Sequence, residues 1–199
     1  MVKAKEYTLA KIVFGAVMAA IICVINFLRI PVGHSQLHFT NSLCLLAGLL
    51  LGPVTGGLAA GLGSALFDVL GGYDPLTAVI TFVSKFAMAW VASMLYGAWK
   101  KKHDDPAVKE TILPLVLCCA AGALTYVALY MLKSWLFITL GVEHLPEETT
   151  LPALLIGKLV PSLINAAFAI ATAPVFYHAV RPALKSVGAW RKLEAVNSH

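Results

Sequence analysis

Three charged residues, Asp68, Lys85 and Lys158, lie inside long apolar stretches of this chain. There an ionised group costs about 3 kcal/mol or more unless it faces protein or a wet cavity. Helical spacing attaches other polar groups to them. Thr77, Thr81 and Lys85 repeat at i, i+4, i+8 with Ser84 adjacent, and Lys158, Ser162 and Asn165 repeat at i, i+4, i+7, so each set forms one polar stripe. A third stretch carries Tyr126, Tyr130 and then Lys133 or Ser134 at the same spacing, ending at Trp135. Hydroxyls, a carboxamide, ammonium groups and phenol rings in this arrangement suit reversible capture of a small heterocycle. Its ring stacks on aromatic faces while Asn165, Ser162 and the lysines supply directional hydrogen bonds. Two simpler roles stand beside that one. Asp68 and Lys85 can pair only to staple two helices, and Tyr or Trp near a helix end also serves as an interfacial anchor.

Other chemistries find less support. The segment Pro31 to Asn41 is placed to close over such a pocket and contains Gln36, His34 and His38. The two histidines are spaced like metal ligands, but no third ligand is near, so hydrogen bonding is their expected role and no metal is expected. Gly157-Lys158 runs into Leu159 and position 152 is proline, so there is no phosphate-binding Walker loop; Gly61-Leu62-Gly63-Ser64-Ala65-Leu66 fails the dinucleotide fingerprint. No cofactor is expected. Ser64 lacks a nucleophile-elbow setting and a histidine partner, which leaves an intramembrane enzyme as a weak alternative class. A purely structural membrane protein is another, and it leaves the polar stripes unexplained. Cys23, Cys44, Cys118 and Cys119 all fall in apolar stretches and read as small buried hydrophobes.

The elements that must position these groups follow from composition. Of the 199 residues 59% are hydrophobic and only 13% charged, with a mean hydropathy of +0.82. A soluble domain of this length has too little interior for so much apolar surface, so a lipid bilayer must solvate it. The sequence predicts an all-α, polytopic, single membrane domain over 1–199 with six transmembrane helices, at about 9–30, 38–53, 55–70, 76–99, 112–137 and 152–180. Breaks are expected at Gly52-Pro53 and again around Gly56-Gly57. Basic residues concentrate at Lys3, Lys5 and Lys11, at Lys100, Lys101, Lys102 and Lys109, and at Arg181, Lys185, Arg191 and Lys192. An even number of spans between these clusters puts both termini in the cytoplasm. The net charge of +5 is then a matter of topology, and no nucleic acid partner is expected. The first apolar run lacks a small-residue cleavage site and is expected to be retained as a helix.

Small residues recur four apart, as in Gly48, Gly52 and Gly56, and such rows mark close helix packing in lipid. The row Ala16 and Ala20 lies near the basic start of the first helix, where a partner helix can dock. Six spans in this length, the Gly15-Ala16-Val17-Met18-Ala19-Ala20 row, Leu46-Ala47-Gly48-Leu49-Leu50-Leu51-Gly52-Pro53, and Gly61 to Gly72 with Asp68 in their midst together resemble the S components of energy-coupling factor (ECF) transporters. The resemblance spans nearly the whole chain. It implies a prokaryotic plasma-membrane subunit without its own ATPase, part of an ABC-type importer. It captures a vitamin at the outer face with helices four to six and the outer loops, then topples to deliver it inward. A transmembrane coupling protein and two ATPases would be its partners, with Ala16 and Ala20 at the coupling-protein contact. The segment Ile80-Thr81-Phe82-Val83-Ser84-Lys85-Phe86-Ala87-Met88-Ala89 resembles the hydroxymethylpyrimidine, pyridoxine and queuosine-precursor branch most. Two pocket lysines leave pantothenate or another carboxylate vitamin as the alternative. The chain begins Met1-Val2-Lys3 and lacks the Met-His start of the nickel and cobalt branch.

Overall fold

A computed structural model describes residues 2–28, 30–32, 35–103, 111–142, 150–186 and 188; of 2–8, 31, 32, 35 and 36 it describes the backbone alone. The chain folds as α1 (Val2–Ile25), a short antiparallel hairpin of β1 (Ile30–Val32) and β2 (Ser35–Leu37), then α2 (Thr40–Leu51), α3 (Pro53–Leu70), α4 (Pro75–Lys102), α5 (Ile112–Thr139) and α6 (Leu151–Ser186). Among the described residues it is all-helical apart from that hairpin, which occupies what the sequence alone left as loop. The predicted histidine pair lies partly outside the described residues, because His34 is not among them. Lys109, Arg191 and Lys192 of the basic clusters also lie outside them.

Among the described residues four helices, α3 to α6, are long and apolar enough to cross a membrane; the apolar part of α1, Leu9–Ile25, and α2 are shorter. Every residue of α2 except Leu43 is buried, and α2 touches all five other described helices. At about 1.5 Å per residue its 12 residues reach only some two-thirds of a bilayer core. Enclosure by its neighbours, rather than by lipid, is what keeps it helical.

The turn between α2 and α3 is made at one glycine. Gly52 has φ 81, a left-handed conformation that glycine adopts without a Cβ penalty. Its N–H closes α2 on the Gly48 carbonyl at 3.0 Å, and Pro53 starts α3 where no amide donor is needed. The second break expected at Gly56-Gly57 does not occur. Both residues lie inside α3, and a Cβ on Gly56 would collide with the backbone of Ala47 and Gly48. The pair serves close packing rather than turning.

Contacts fix the direction of every described helix. Gly63 packs on Ala19 and Ile22 of α1, Gly57 on Phe86 of α4, and Gly122 of α5 on Met88 and Ala92; Ser42 meets Thr172 of α6 at 2.6 Å. Successive helices therefore alternate in direction. The start of α1, the α2–α3 turn and the ends of α4 and α6 share one end of the bundle, here the basal end. The hairpin, the Gly71 to Asp74 turn, the end of α5 and the start of α6 form the other.

Candidate functional site

The bundle opens at the end away from Lys100, Lys101 and Lys102, into a cavity of about 780 Å³. That lies within the roughly 300–1,000 Å³ typical of small-molecule sites. Helix α4 contributes Thr77, Thr81, Ser84 and Lys85; α5 contributes Tyr126, Tyr130, Lys133 and Phe137; α6 contributes Lys158, Pro161, Ser162 and Asn165. The three polar stripes thus face one hollow. Asp68 of α3 and His38, just after the hairpin, also line it. The side chain of Gln36 lies outside what the structure describes, although its backbone pairs with Pro31 in the hairpin.

Lys85 is the most constrained cation of the site, only 4% exposed. Its Nζ donates to Asn41 Oδ1 and sits 3.7 Å from the centroid of the Tyr126 ring. A charge-assisted hydrogen bond and the negative face of a phenol ring together offset part of its desolvation. Tyr126 stacks in turn with Tyr130, ring centroids 6.2 Å apart. The partner of Lys85 is therefore a carboxamide on the central helix.

Lys133 reaches across to Thr77 Oγ1 at 3.3 Å and lies 5.0 Å from the Phe137 centroid. Trp135, two residues on, is 45% exposed on the outside of the bundle. Of the two residues that spacing left open, Lys133 lines the cavity and Ser134 is buried away from its lining, while the Trp135 indole suits an interfacial anchor.

Asn165 couples α6 to the cavity's roof. Its Oδ1 accepts the backbone N–H of His38 at 3.2 Å while its Nδ2 donates to the Pro161 carbonyl at 3.1 Å. Pro161, inside α6, has no amide hydrogen for the carbonyl of Gly157 one turn earlier. Gly157 belongs to the lining, so the proline leaves a main-chain acceptor beside the cavity. Ser162 donates to Lys158 O at 2.8 Å and Ser84 to Ile80 O at 2.8 Å. Both hydroxyls keep acceptor capacity for a ligand.

Sequence reasoning overlooked the central helix, the end of α1 and Ser64 of α3 as parts of the cavity wall. Asn41, Asn26 and Ser64 line the cavity, and Thr40 Oγ1 donates to Asn26 Oδ1 at 2.8 Å. The available signal was Thr40-Asn41-Ser42, three polar residues opening an otherwise apolar helix and all buried. Ala16 and Ala20 stand apart from the cavity, exposed on α1 beside Val13 and Val17.

The geometry offers shape, fixed donors and acceptors and stacking surfaces, which is binding chemistry. Comparison with known proteins agrees. Residues 6–182 match the family described as ECF-type riboflavin transporter, S component. A protein of Pyrococcus woesei described as an uncharacterized protein in gap 3'region is 46% identical over 59 residues, which are 29% of this chain and 38% of that protein. With its apolar helices and a family match over nearly its whole length, this chain is a membrane protein of the ECF-type riboflavin transporter S-component family, a substrate-binding transporter subunit and not an enzyme.

Proposed function

We propose that the chain captures a heteroaromatic vitamin in the cavity between α4, α5 and α6 at the outer face of a prokaryotic plasma membrane. It then hands the vitamin inward with a transmembrane coupling protein and two ATPases. The observation that carries this reading is the gathering of Lys85, Tyr126, Lys158 and Asn165 around one hollow at the end of the bundle opposite the basic residues. Positive charge favours the cytoplasmic side, so six passes put both termini inside and open the cavity outward.

The first choice of cargo is riboflavin. The matched family is described by that substrate, and the paired rings of Tyr126 and Tyr130 offer a stacking wall. The second is a smaller ring such as hydroxymethylpyrimidine, pyridoxine or a queuosine precursor, favoured by the Ile80 to Ala89 segment. A carboxylate such as pantothenate comes third, because neither the matched family's description nor the Ile80 to Ala89 segment favours it.

Thermal melting of the purified protein against these five compounds tests the reading. A ligand at one hundred times its Kd stabilises by about 2.7 kcal/mol, so the cargo stands out as a clear upward shift. A well-folded preparation that none of them shifts sinks it. On α1, exposed Ala16 and Ala20 are proposed as the coupling-protein contact. Ala16→Trp is expected to abolish uptake in cells while leaving the melting shift intact.

A further inference from the structure

The basal end carries a second concavity, a groove of about 460 Å³ between α4 and α5. Leu95, Ala98, Trp99, Leu113 and Leu117 wall it, and among the described residues Lys102 is the charged member of its lining. Leu113 and Leu117 are each 61% exposed, so the groove opens sideways, where a membrane protein meets lipid. Trp99 is held as a firm wall by His103, whose ring centroid lies 3.7 Å away.

The three lysines that end α4 divide into two kinds. Lys100 turns inward, 3.1 Å from the Tyr177 hydroxyl and 4.2 Å from the Tyr96 ring centroid. Lys101 and Lys102 are exposed, at a helix C-terminus whose carbonyls favour cations. Among the described residues the groove is thus apolar along its length and cationic at Lys102, with no acidic residue in its lining. That is the chemistry of a phospholipid with a net negative headgroup: an acyl chain for the leucine wall and a phosphate for the Lys102 ammonium, with exposed Lys101 next to it in the chain. A second copy of this chain docking symmetrically would bring the same lysines face to face, which like charge disfavours.

We propose that this groove holds an acyl chain of an anionic phospholipid whose headgroup phosphate rests on Lys101 and Lys102. Basic pockets between transmembrane helices on the cytoplasmic side recognise anionic headgroups in this way. The leaflet, but not the binding, follows from the orientation proposed above. The site is separate from the substrate cavity and needs no vitamin.

Native mass spectrometry of the purified full chain with added phosphatidylglycerol or phosphatidylcholine tests it. Phosphatidylglycerol adducts are expected to be favoured by about tenfold or more. The Lys101→Glu, Lys102→Glu double variant is expected to erase that preference, and the Lys101→Arg, Lys102→Arg pair to keep it. Ala98→Trp, which fills the groove, should lower retention of both lipids; if that variant fails to fold, the charge pairs decide. Equal retention of the two lipids, an unchanged preference in the glutamate variant, or a dimer that Ala98→Trp dissociates overturns the proposal. The melting shift with vitamin, read on the same charge variants, stays at the parent value, so failure of the lipid site and failure of the substrate reading are told apart.

Discussion

Helices α2 and α4 meet twice, and the two contacts are opposites. At Gly48 and Ala89 their backbones touch, and a Cβ on the glycine would strike the Ala89 carbonyl oxygen. About two turns along α2, Asn41 and Lys85 instead meet through long polar side chains. Where side chains vanish the bundle closes, and where they lengthen and carry donors it stays open around a cavity. One helix pair thereby builds both the seal and the site. Small residues in the seal gain dispersion contacts that lipid would otherwise supply. Polar residues above it are kept from collapsing by hydrogen bonds that hold each of them at a fixed distance.

The contrast breaks most severely at the seal. Gly48→Val is expected to prevent the approach of α2 to α4, with a loss of about 3 kcal/mol or more as the backbones separate. Size-exclusion chromatography and melting in detergent read this directly. Gly97→Ala, where an added Cβ meets nothing within 4 Å, is the matching control and should melt like the parent. A Gly48→Val protein with parental melting would mean that the two backbones are not in contact.

At the open contact the expected loss is in function. Lys85→Met removes one charged donor from the cavity, and hydrogen bonds of that kind contribute about 1.5–3 kcal/mol, so vitamin affinity should fall by roughly 10- to 100-fold. Stability should change less, because the variant also escapes the cost of burying an ammonium. Titration calorimetry and melting on the same sample separate the two. Undiminished affinity would remove Lys85 from the ligand's surroundings.

A third cation sharpens the point. Lys100 also rests on tyrosine, yet at the basal end, between Tyr96 and Tyr177, which are 4% and 0% exposed. Tyr177→Phe keeps the ring and loses the 3.1 Å bond to Lys100. About 1 kcal/mol of stability and no change in vitamin affinity are expected. A fall in affinity would join the two ends of the bundle functionally and undo the distinction.

Much of this arrangement was legible in the sequence for a physical reason. Stripes on α4 and α6 repeat at helical spacing, so Thr81 and Lys85, or Lys158 and Ser162, had to share a face wherever the helices went. Gly52-Pro53 announced its turn because left-handed glycine followed by a helix-starting proline has few other uses. Gly56-Gly57 misled because a glycine that loosens a chain and one that admits a neighbouring backbone are the same residue. Asn41 was missed because its role depends on α2 being enclosed by the other helices, a tertiary fact with no local period. The choice between Lys133 and Ser134 likewise needed the rotation of α5 about its own axis. Spacing alone does not supply that.

The smallest expected effect lies at the cavity's rim, where the α3–α4 turn meets water. Asp74 caps α4, its Oδ1 accepting the Thr77 N–H at 2.9 Å. Hydrogen bonds from Thr77 hold its carboxyl below the usual aspartate range, with Lys133 adding to the same direction. A carboxyl with a lowered folded pKa stabilises the protein at pH values above its unfolded pKa of about 4. That contribution disappears as the pH drops through the lowered folded value. Asn caps helices about as well as Asp but does not titrate. The melting temperature of the parent relative to Asp74→Asn should therefore be flat from neutral pH down to about 5 and fall only in more acid solution. A difference that instead grows as the pH is lowered would reverse the sign and place a stabilising proton on Asp74. The seal and the lysine contact would be untouched by either result, because no titrating cap holds them.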